Sequence, residues 1–269
     1  MSNRYIRYGN YDLLPYTRIK GYDSHAMKGY DDIIIRLKGD VETGKRIIVC
    51  DFYPGVDREE VLRHFSRLNP VLVIESESCA LEEEELNLLF KDYLTDDRVF
   101  GFMCHKKLED CFVEEKLSAV RKQIAETAEG VILIVGVGAS LITRGDVYLY
   151  FDLARWEIQL RYRAGMPNWK CSNTGEPSLT KVKRGFFVEW RLADKYKRQR
   201  FEDFDYLIDT NKKEKPVMIT GEAFREALTQ VSARPFRMQP YFDPGVWGGH
   251  WMQQNFRLSE DEPNYAWSF

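Results

Sequence analysis

The stretch from Gly130 to Ile142 (GVILIVGVGASLI) constrains this chain more than any other. Val131–Val135 is an unbroken apolar run, which reads as a strand buried on both faces. A glycine turn follows. Val147–Asp152 (VYLYFD) is a second strand, and Arg155–Arg163 (RWEIQLRYR) is a helix that carries arginines. A buried strand, a glycine turn, a second strand and a basic helix form the core of an α/β domain suited to holding phosphate. The usual partner of that core is absent, because no G-x-x-x-x-G-K-[ST] loop occurs anywhere in the chain.

The rest of the chain alternates in the same way. Arg46–Asp51 reads as a short buried strand and Phe52–Val56 as a turn. Asp57 is the N-cap of a helix, and Glu60 completes a capping-box pattern three residues later. Val71–Ile74 is the next strand. Leu86, Leu89, Phe90, Tyr93 and Leu94 mark a helix behind the acidic run Glu82–Glu85. Val99–Met103 reads as a strand, and Leu117, Val120, Ile124 and Ala128 as a helical stripe. Phe186–Trp190 and Tyr206–Asp209 are later strand candidates around a charged helix, and residues 164–185 read as a basic, flexible loop. This alternation predicts a three-layer, mostly parallel α/β sheet over residues 40–233. An irregular tyrosine-rich arm (1–39), with a short helix over Asp31–Lys38, precedes it. Beyond Arg234 the chain turns to proline, glycine and tryptophan, so 234–269 is read as a separate segment.

Bulk properties exclude several classes. The formal charge of −3 and the isoelectric point near 5.9 offer no basic face for nucleic acid. The longest apolar run is far too short to cross a bilayer, and the N-terminus has no signal core. The five cysteines form no CxxC pair, which argues against a disulfide framework and for a reducing cytoplasm. Cys104, His105 and Cys111 lack a fourth ligand at sensible spacing, so no metal residue is assigned.

Candidate site residues follow from the ends of strands and helices. Asp51 and Glu75 end strands, where a general base or a magnesium ligand would stand; Ser76 and Glu77 share that position. The Asp51–Asp57 turn, with Gly55, occupies the place of a phosphate loop before a helix N-terminus. An ordinary βα turn with a carboxylate cap fits it better than an ATP site, since the clamp lysine is missing. Gly136 and Gly138 permit close backbone approach, either to a ligand or to the neighbouring structure. Arg155, Arg161 and Arg163, with Lys170, Lys181, Lys183 and Arg184, make a basic neighbourhood that could grip phosphate or simply face water.

Residues 131–209 resemble the uridine kinase and phosphoribulokinase-like branch of P-loop kinases, in the strand to Leu141, in Tyr148–Arg163, and in Phe187–Glu189 with Phe204–Asp209. Residues 235–249 (PFRMQPYFDPGVWGG) are similar to the opening strand of class I mannose-6-phosphate isomerases, and Asn264–Phe269 to the segment after it. Together these resemblances imply a P-loop-kinase-type domain without a standard Walker A motif, followed by the start of a cupin at 234–269. They imply the N-terminal part of an isomerase-like protein that interconverts mannose 6-phosphate and fructose 6-phosphate in a downstream, zinc-holding cupin. This chain would hold no cofactor of its own, and its cleft would take a nucleotide or a sugar phosphate. Trp247, Trp251 and Trp267 would mediate self-association through the C-terminal segment. Two further readings stay open: an active small-molecule kinase with an atypical phosphate loop, and a structural interaction module.

Overall fold

The apolar runs of the sequence become adjacent strands. A computed structural model describes residues 17–233 of the chain. The elements in order are β1 (Ala26–Lys28), α1 (Gly29–Glu42), β2 (Ile47–Phe52), α2 (Arg58–Phe65), β3 (Pro70–Glu75), α3 (Glu83–Phe90), α4 (Glu114–Glu126), β4 (Val131–Gly136), β5 (Val147–Asp152), α5 (Arg155–Arg163), α6 (Ser178–Arg184), α7 (Trp190–Arg198), β6 (Tyr206–Asp209), β7 (Val217–Thr220) and α8 (Gly221–Ser232). A π-helical turn, Gly185–Glu189, joins α6 to α7. Among the described residues no helix is long and apolar enough to cross a membrane.

One seven-stranded sheet has the order β1-β7-β6-β5-β2-β4-β3. β3, β4, β2, β5 and β6 run parallel, with Val49 opposite Ile134 on one side and Tyr148 on the other. β7 and β1 add an antiparallel edge. Counted along the chain, the five parallel strands stand 2-3-1-4-5. That differs from the ~3-2-1-4-5-6 order of dinucleotide-binding folds and the ~2-1-3-4-5 order of flavodoxin-like ones. The chain leaves β2 for one edge of the sheet and later crosses back past β2 to reach β5. β2 therefore stands where the connections change direction, and ligands collect at such points outside the carboxyl ends of the strands.

The core explains the continuous apolar reading of β2, β4 and β5. Ile48–Cys50, Ile132–Val135 and Val147–Phe151 are all buried, as strands covered on both faces must be. The turn into β5 is clamped by Asp146, whose carboxylate accepts the Arg46 and Ile47 N–H groups at 2.7 and 2.8 Å. α1 is no part of an arm, because Ile33, Ile34 and Leu37 are fully buried in the same core. The compact unit spans residues 21–226. The segment 234–269, read above as the start of a cupin and as a self-association surface, lies outside the described residues.

Three local expectations are corrected. Val99–Met103 forms no strand. Asp97 Oδ1 caps the Val99 and Phe100 N–H groups at 2.7 Å, and the Thr95 hydroxyl bonds the Phe100 carbonyl, so a local turn takes the backbone groups a sheet would need. Phe186–Trp190 is helical. Arg184 and Glu189 pair across the π turn, and burial of Val188, Glu189 and Trp190 outweighs the aromatic strand propensity. Finally, residues 178–184 of the expected loop are helix α6.

Leu149 lies in β5 with no exposed surface. Leu149→Ala is expected to lower unfolding free energy by about 2–5 kcal/mol, measured by urea denaturation. A loss below about 1 kcal/mol would contradict its place at the centre of the core.

Candidate functional site

The turn after β2 is held shut from below. Asp57 is the N-cap of α2 and accepts the Glu60 N–H at 3.1 Å. Glu60 does not return the bond as a capping box would. Its Oε1 takes the Tyr30 hydroxyl at 2.8 Å and the Glu214 N–H at 3.0 Å. Gly55 has φ +108, and a Cβ there would meet Ile158 at 3.0 Å, so the turn needs glycine in order to lie on α5. Arg161 reaches the same turn, but through a carbonyl. It donates to Gly55 O at 2.9 Å, to Thr210 O at 2.7 Å and to Glu157 at 3.0 Å. Of the ligand residues expected from the sequence, the structure brings Gly55 and Arg161 together as a brace.

The remaining cations do not converge. Arg155 pairs with Asp194 and covers the Trp190 ring, while Arg163 stands over the exposed Trp156. Lys183 caps the carbonyls of Thr95 and Asp97. Lys181 is 1% exposed and donates to Met166 O at 3.0 Å and Thr174 O at 2.7 Å. Beside it Glu189, also buried, accepts Arg184 Nε (3.2 Å), the Tyr162 hydroxyl (3.2 Å) and Asn168 Nδ2 (3.0 Å). Lys181 and Arg184 of the basic neighbourhood thus form an internal staple that fixes the 166–174 loop, neither the phosphate grip nor the solvated face that the sequence left open.

Asp51 is equally committed. It has no exposed surface. Its Oδ1 accepts Gly138 N–H at 3.0 Å, and its Oδ2 accepts Ser140 N–H (3.2 Å), the Tyr148 hydroxyl (3.1 Å) and the Tyr196 hydroxyl (2.6 Å). Burial raises its carboxyl pKa while the Tyr196 and Ser140 bonds oppose the rise. A carboxylate held by four donors, with no exposed surface, is not placed to take a substrate proton. Glu75 binds Arg58 at 2.7 Å. Gly138 has φ +78, and a Cβ there would strike Phe112 at 2.6 Å.

Gly136 opens a different contact. A Cβ at Gly136 would stand 2.0 Å from Glu77 Oε2, so the missing side chain makes room for a carboxylate. Glu77 Oε1 accepts the Val137 N–H at 3.0 Å, and burial raises the Glu77 carboxyl pKa. The sequence placed Glu77 at the strand end with Glu75, but nothing in it distinguished the two. The distinction comes from Gly136 across the sheet.

A cleft of about 690 Å³ opens at these carboxyl ends. The turn after β2 (Phe52–Glu59) forms one wall; Glu77 and Val137 form the floor; Glu82 and Glu83 at the start of α3 face them. The loop Met166–Ser172 closes the top. That loop is tied to α3 by Lys170–Glu82 at 3.4 Å and by Ser172 N–H to Glu83 at 3.0 Å. Lys116, then Lys170, hold the Glu82 carboxyl below its usual range. The acidic run Glu82–Glu85 thus supplies a cleft wall as well as a helix start, a role invisible in its spacing. Trp169 lines the cleft from the loop, and its indole N–H is buried without an acceptor.

A mostly parallel α/β sheet with a ligand-sized cleft at the carboxyl ends of its strands defines the class of domain. A family model described as a domain of unknown function (DUF8485) matches residues 29–233, and the chain belongs to that family. No curated protein matches it. Similar solved structures include a shikimate kinase from Bacteroides thetaiotaomicron (14% identity, 70% of this chain and 98% of that chain, TM-score 0.39). Others are a gluconokinase from Sinorhizobium meliloti 1021 (16%, 70% and 93%, 0.35) and the phosphoribulokinase from Rhodobacter spheroides (13%, 71% and 96%, 0.37). Likeness of this size leaves function to be read from the site.

Two outcomes follow from the buried charges. Burial lifts the folded-state pKa of Glu77 above its ordinary 4.5, so ionisation costs the folded state free energy once the pH exceeds that value. Glu77→Gln keeps an acceptor for Val137 and removes that cost. The variant should be more stable than the parent at neutral pH, with the advantage vanishing as pH falls below 4.5; denaturant titrations at both ends of this range decide it, and a less stable variant at neutral pH contradicts it. Lys181→Met should orphan two carbonyls and release the 166–174 loop. Amide exchange over those residues is expected to accelerate at least about tenfold, equivalent to roughly 1.4 kcal/mol, and unchanged protection would refute the staple.

Proposed function

We propose that this chain is a kinase-like α/β domain that binds a small ligand in the cleft beneath the 166–172 loop and does not itself transfer phosphoryl groups. The position of Asp57 carries the reading. In a phosphate-handling domain the turn after the first parallel strand offers backbone N–H groups and a positive helix end to an anion. Here a carboxylate occupies that end and satisfies the Glu60 N–H. No lysine takes the place of the clamp on which phosphoryl transfer relies. Of the cations at the turn, Arg161 is spent on Gly55 O and Thr210 O, and Lys213 stands 3.8 Å from the Asp57 carboxylate itself.

The active-kinase alternative needs a free base at Asp51 or Glu75. The four donors on Asp51 and the Arg58 partner of Glu75 both weigh against it. The resemblance of residues 235–249 to the opening of class I mannose-6-phosphate isomerases suggests where such a domain would serve, as the non-catalytic, ligand-responsive front of a sugar-phosphate isomerase. Zinc and the isomerisation chemistry would then belong to a downstream cupin.

A coupled assay for ADP release with Mg-ATP, in the presence of nucleosides and sugars as acceptors, is expected to stay at background. Turnover approaching the ~1–100 s⁻¹ typical of kinases would overturn the proposal.

A further inference from the structure

We infer that the cleft takes an unphosphorylated polyhydroxy ligand, a sugar or polyol, held by the Glu77 carboxylate and packed against Trp169. This rests on the cleft being a ligand site, as proposed above.

The charge of the walls sets the first condition. Asp57, Glu59, Glu77, Glu82 and Glu83 line the cleft, opposed by Arg58 and Lys170. Neither cation is free, since Arg58 binds Glu75 and Lys170 binds Glu82. An anionic ligand would enter a negative field with no unpaired cation to receive it. A phosphorylated sugar is therefore the wrong ligand, although the surrounding fold suits one.

The polar atoms set the second. Glu77 Oε1 is satisfied by Val137 N–H and the carboxylate also takes the residue's own N–H, whereas the donor from another residue at Oε2 is Ser76 Oγ at 3.4 Å. The single hydroxyl proton of Ser76 goes to Val137 O at 2.8 Å. Oε2 is thus a largely buried carboxylate oxygen at the cleft floor with its acceptor capacity open, pressed against the bare α-carbon of Gly136. On the loop above, the Trp169 indole N–H has no acceptor. A hydroxyl group can donate to the first and accept from the second. A phosphate oxygen only accepts, and an ammonium only donates.

The apolar surfaces set the third. The Trp169 ring lines the cleft and is backed by Phe112 at 6.1 Å, while Phe52, Tyr53 and Met166 complete the wall. A flat indole beside open acceptors suits the C–H face and hydroxyl rim of a sugar ring. The volume lies within the range of small-molecule sites.

The test is a titration of the full chain, followed by tryptophan fluorescence and thermal shift, with D-glucose, sorbitol, myo-inositol, glucosamine and glucose 6-phosphate as probes. Saturable binding of at least one neutral probe is expected, with glucose 6-phosphate at least about tenfold weaker than glucose. Glu77→Gln should weaken the neutral probe roughly tenfold or more, and Trp169→Phe, which keeps an aromatic face but removes the N–H and part of the indole surface, by about two- to tenfold. Folding of both variants is checked by thermal melting without ligand. Preferential binding of glucose 6-phosphate or glucosamine would overturn the ligand class while leaving the cleft as a site. No saturable response to any probe, or full affinity in Glu77→Gln, would overturn the inference outright. ADP release in the kinase assay would instead overturn the proposed function and say nothing about sugar binding, so the two failures are distinguishable.

Discussion

The buried carboxylate of Asp51 is the interaction on which the site depends. Only a short 3-10 turn, Ala139–Leu141, lies between β4 and β5, so this connection must be anchored by something other than the packing of a crossover helix. Asp51, at the end of the strand between β4 and β5, does this by accepting two backbone N–H groups of the Gly138–Ser140 turn. It also accepts hydroxyls from Tyr148 on β5 and Tyr196 on α7. Arg200 donates to the Ser140 hydroxyl at 2.9 Å and lies over the Tyr196 ring. A single side chain thus fixes the positions of Gly136 and Val137, and with them the floor of the cleft. An uncompensated buried charge would cost several kcal/mol, on the order of 3–5. The charge-assisted bonds offset that cost and make the arrangement specific.

A second buried network holds the roof. Glu189, Asn168, Tyr162, Lys181 and Arg184 saturate one another and the carbonyls of the 166–174 loop. The π turn supports this arrangement. Five residues separate Arg184 from Glu189, and the wider turn brings the two side chains within 3.2 Å. Such turns are rare and cluster at functional sites. Here the turn lets α6 and α7 form one continuous helical run while Lys181, Arg184 and Glu189 are buried. Lys170, Lys181 and Arg184, three of the basic residues that resemble a phosphate grip in sequence, are consumed in fixing the loop that covers the cleft.

These two networks explain how a parallel sheet with a strand–turn–helix at its carboxyl edge comes to carry an acidic cleft. Fold-level likeness is a weak guide to chemistry, because function resides in the side chains placed on the frame. The frame here presents a strand–turn–helix at the carboxyl end of β2. Asp57, Glu59, Glu77, Glu82 and Glu83 then make its cleft negative. Glu77 illustrates the trade-off: a carboxylate placed where burial disfavours its charge is a poor choice for stability and a reasonable one for gripping a ligand hydroxyl.

The sequence by itself determined the strands whose apolar runs need cover on both faces, and it determined the Asp57 cap. Val131–Val135, Val147–Phe151 and Ile47–Cys50 are legible because a continuous apolar run has few soluble alternatives to a central parallel strand. The absence of a clamp lysine is equally plain in the letters. Tertiary structure decided the rest. Phe186–Trp190 looked extended but became helical, since burial of Val188 and Trp190 and the Arg184–Glu189 pair outweighed local propensity. Val99–Met103 looked like a strand, but the Asp97 carboxylate and the Thr95 hydroxyl took its backbone groups into a local turn. Of the carboxylates at strand ends, Asp51 was absorbed into the core and Glu75 was neutralised by Arg58. Glu77 alone of the three was left facing the cleft with an open oxygen, because Gly136, some sixty residues away in the chain, lacks the side chain that would have displaced it. Spacing along a chain cannot express that choice; it depends on which atoms a fold brings within hydrogen-bonding distance.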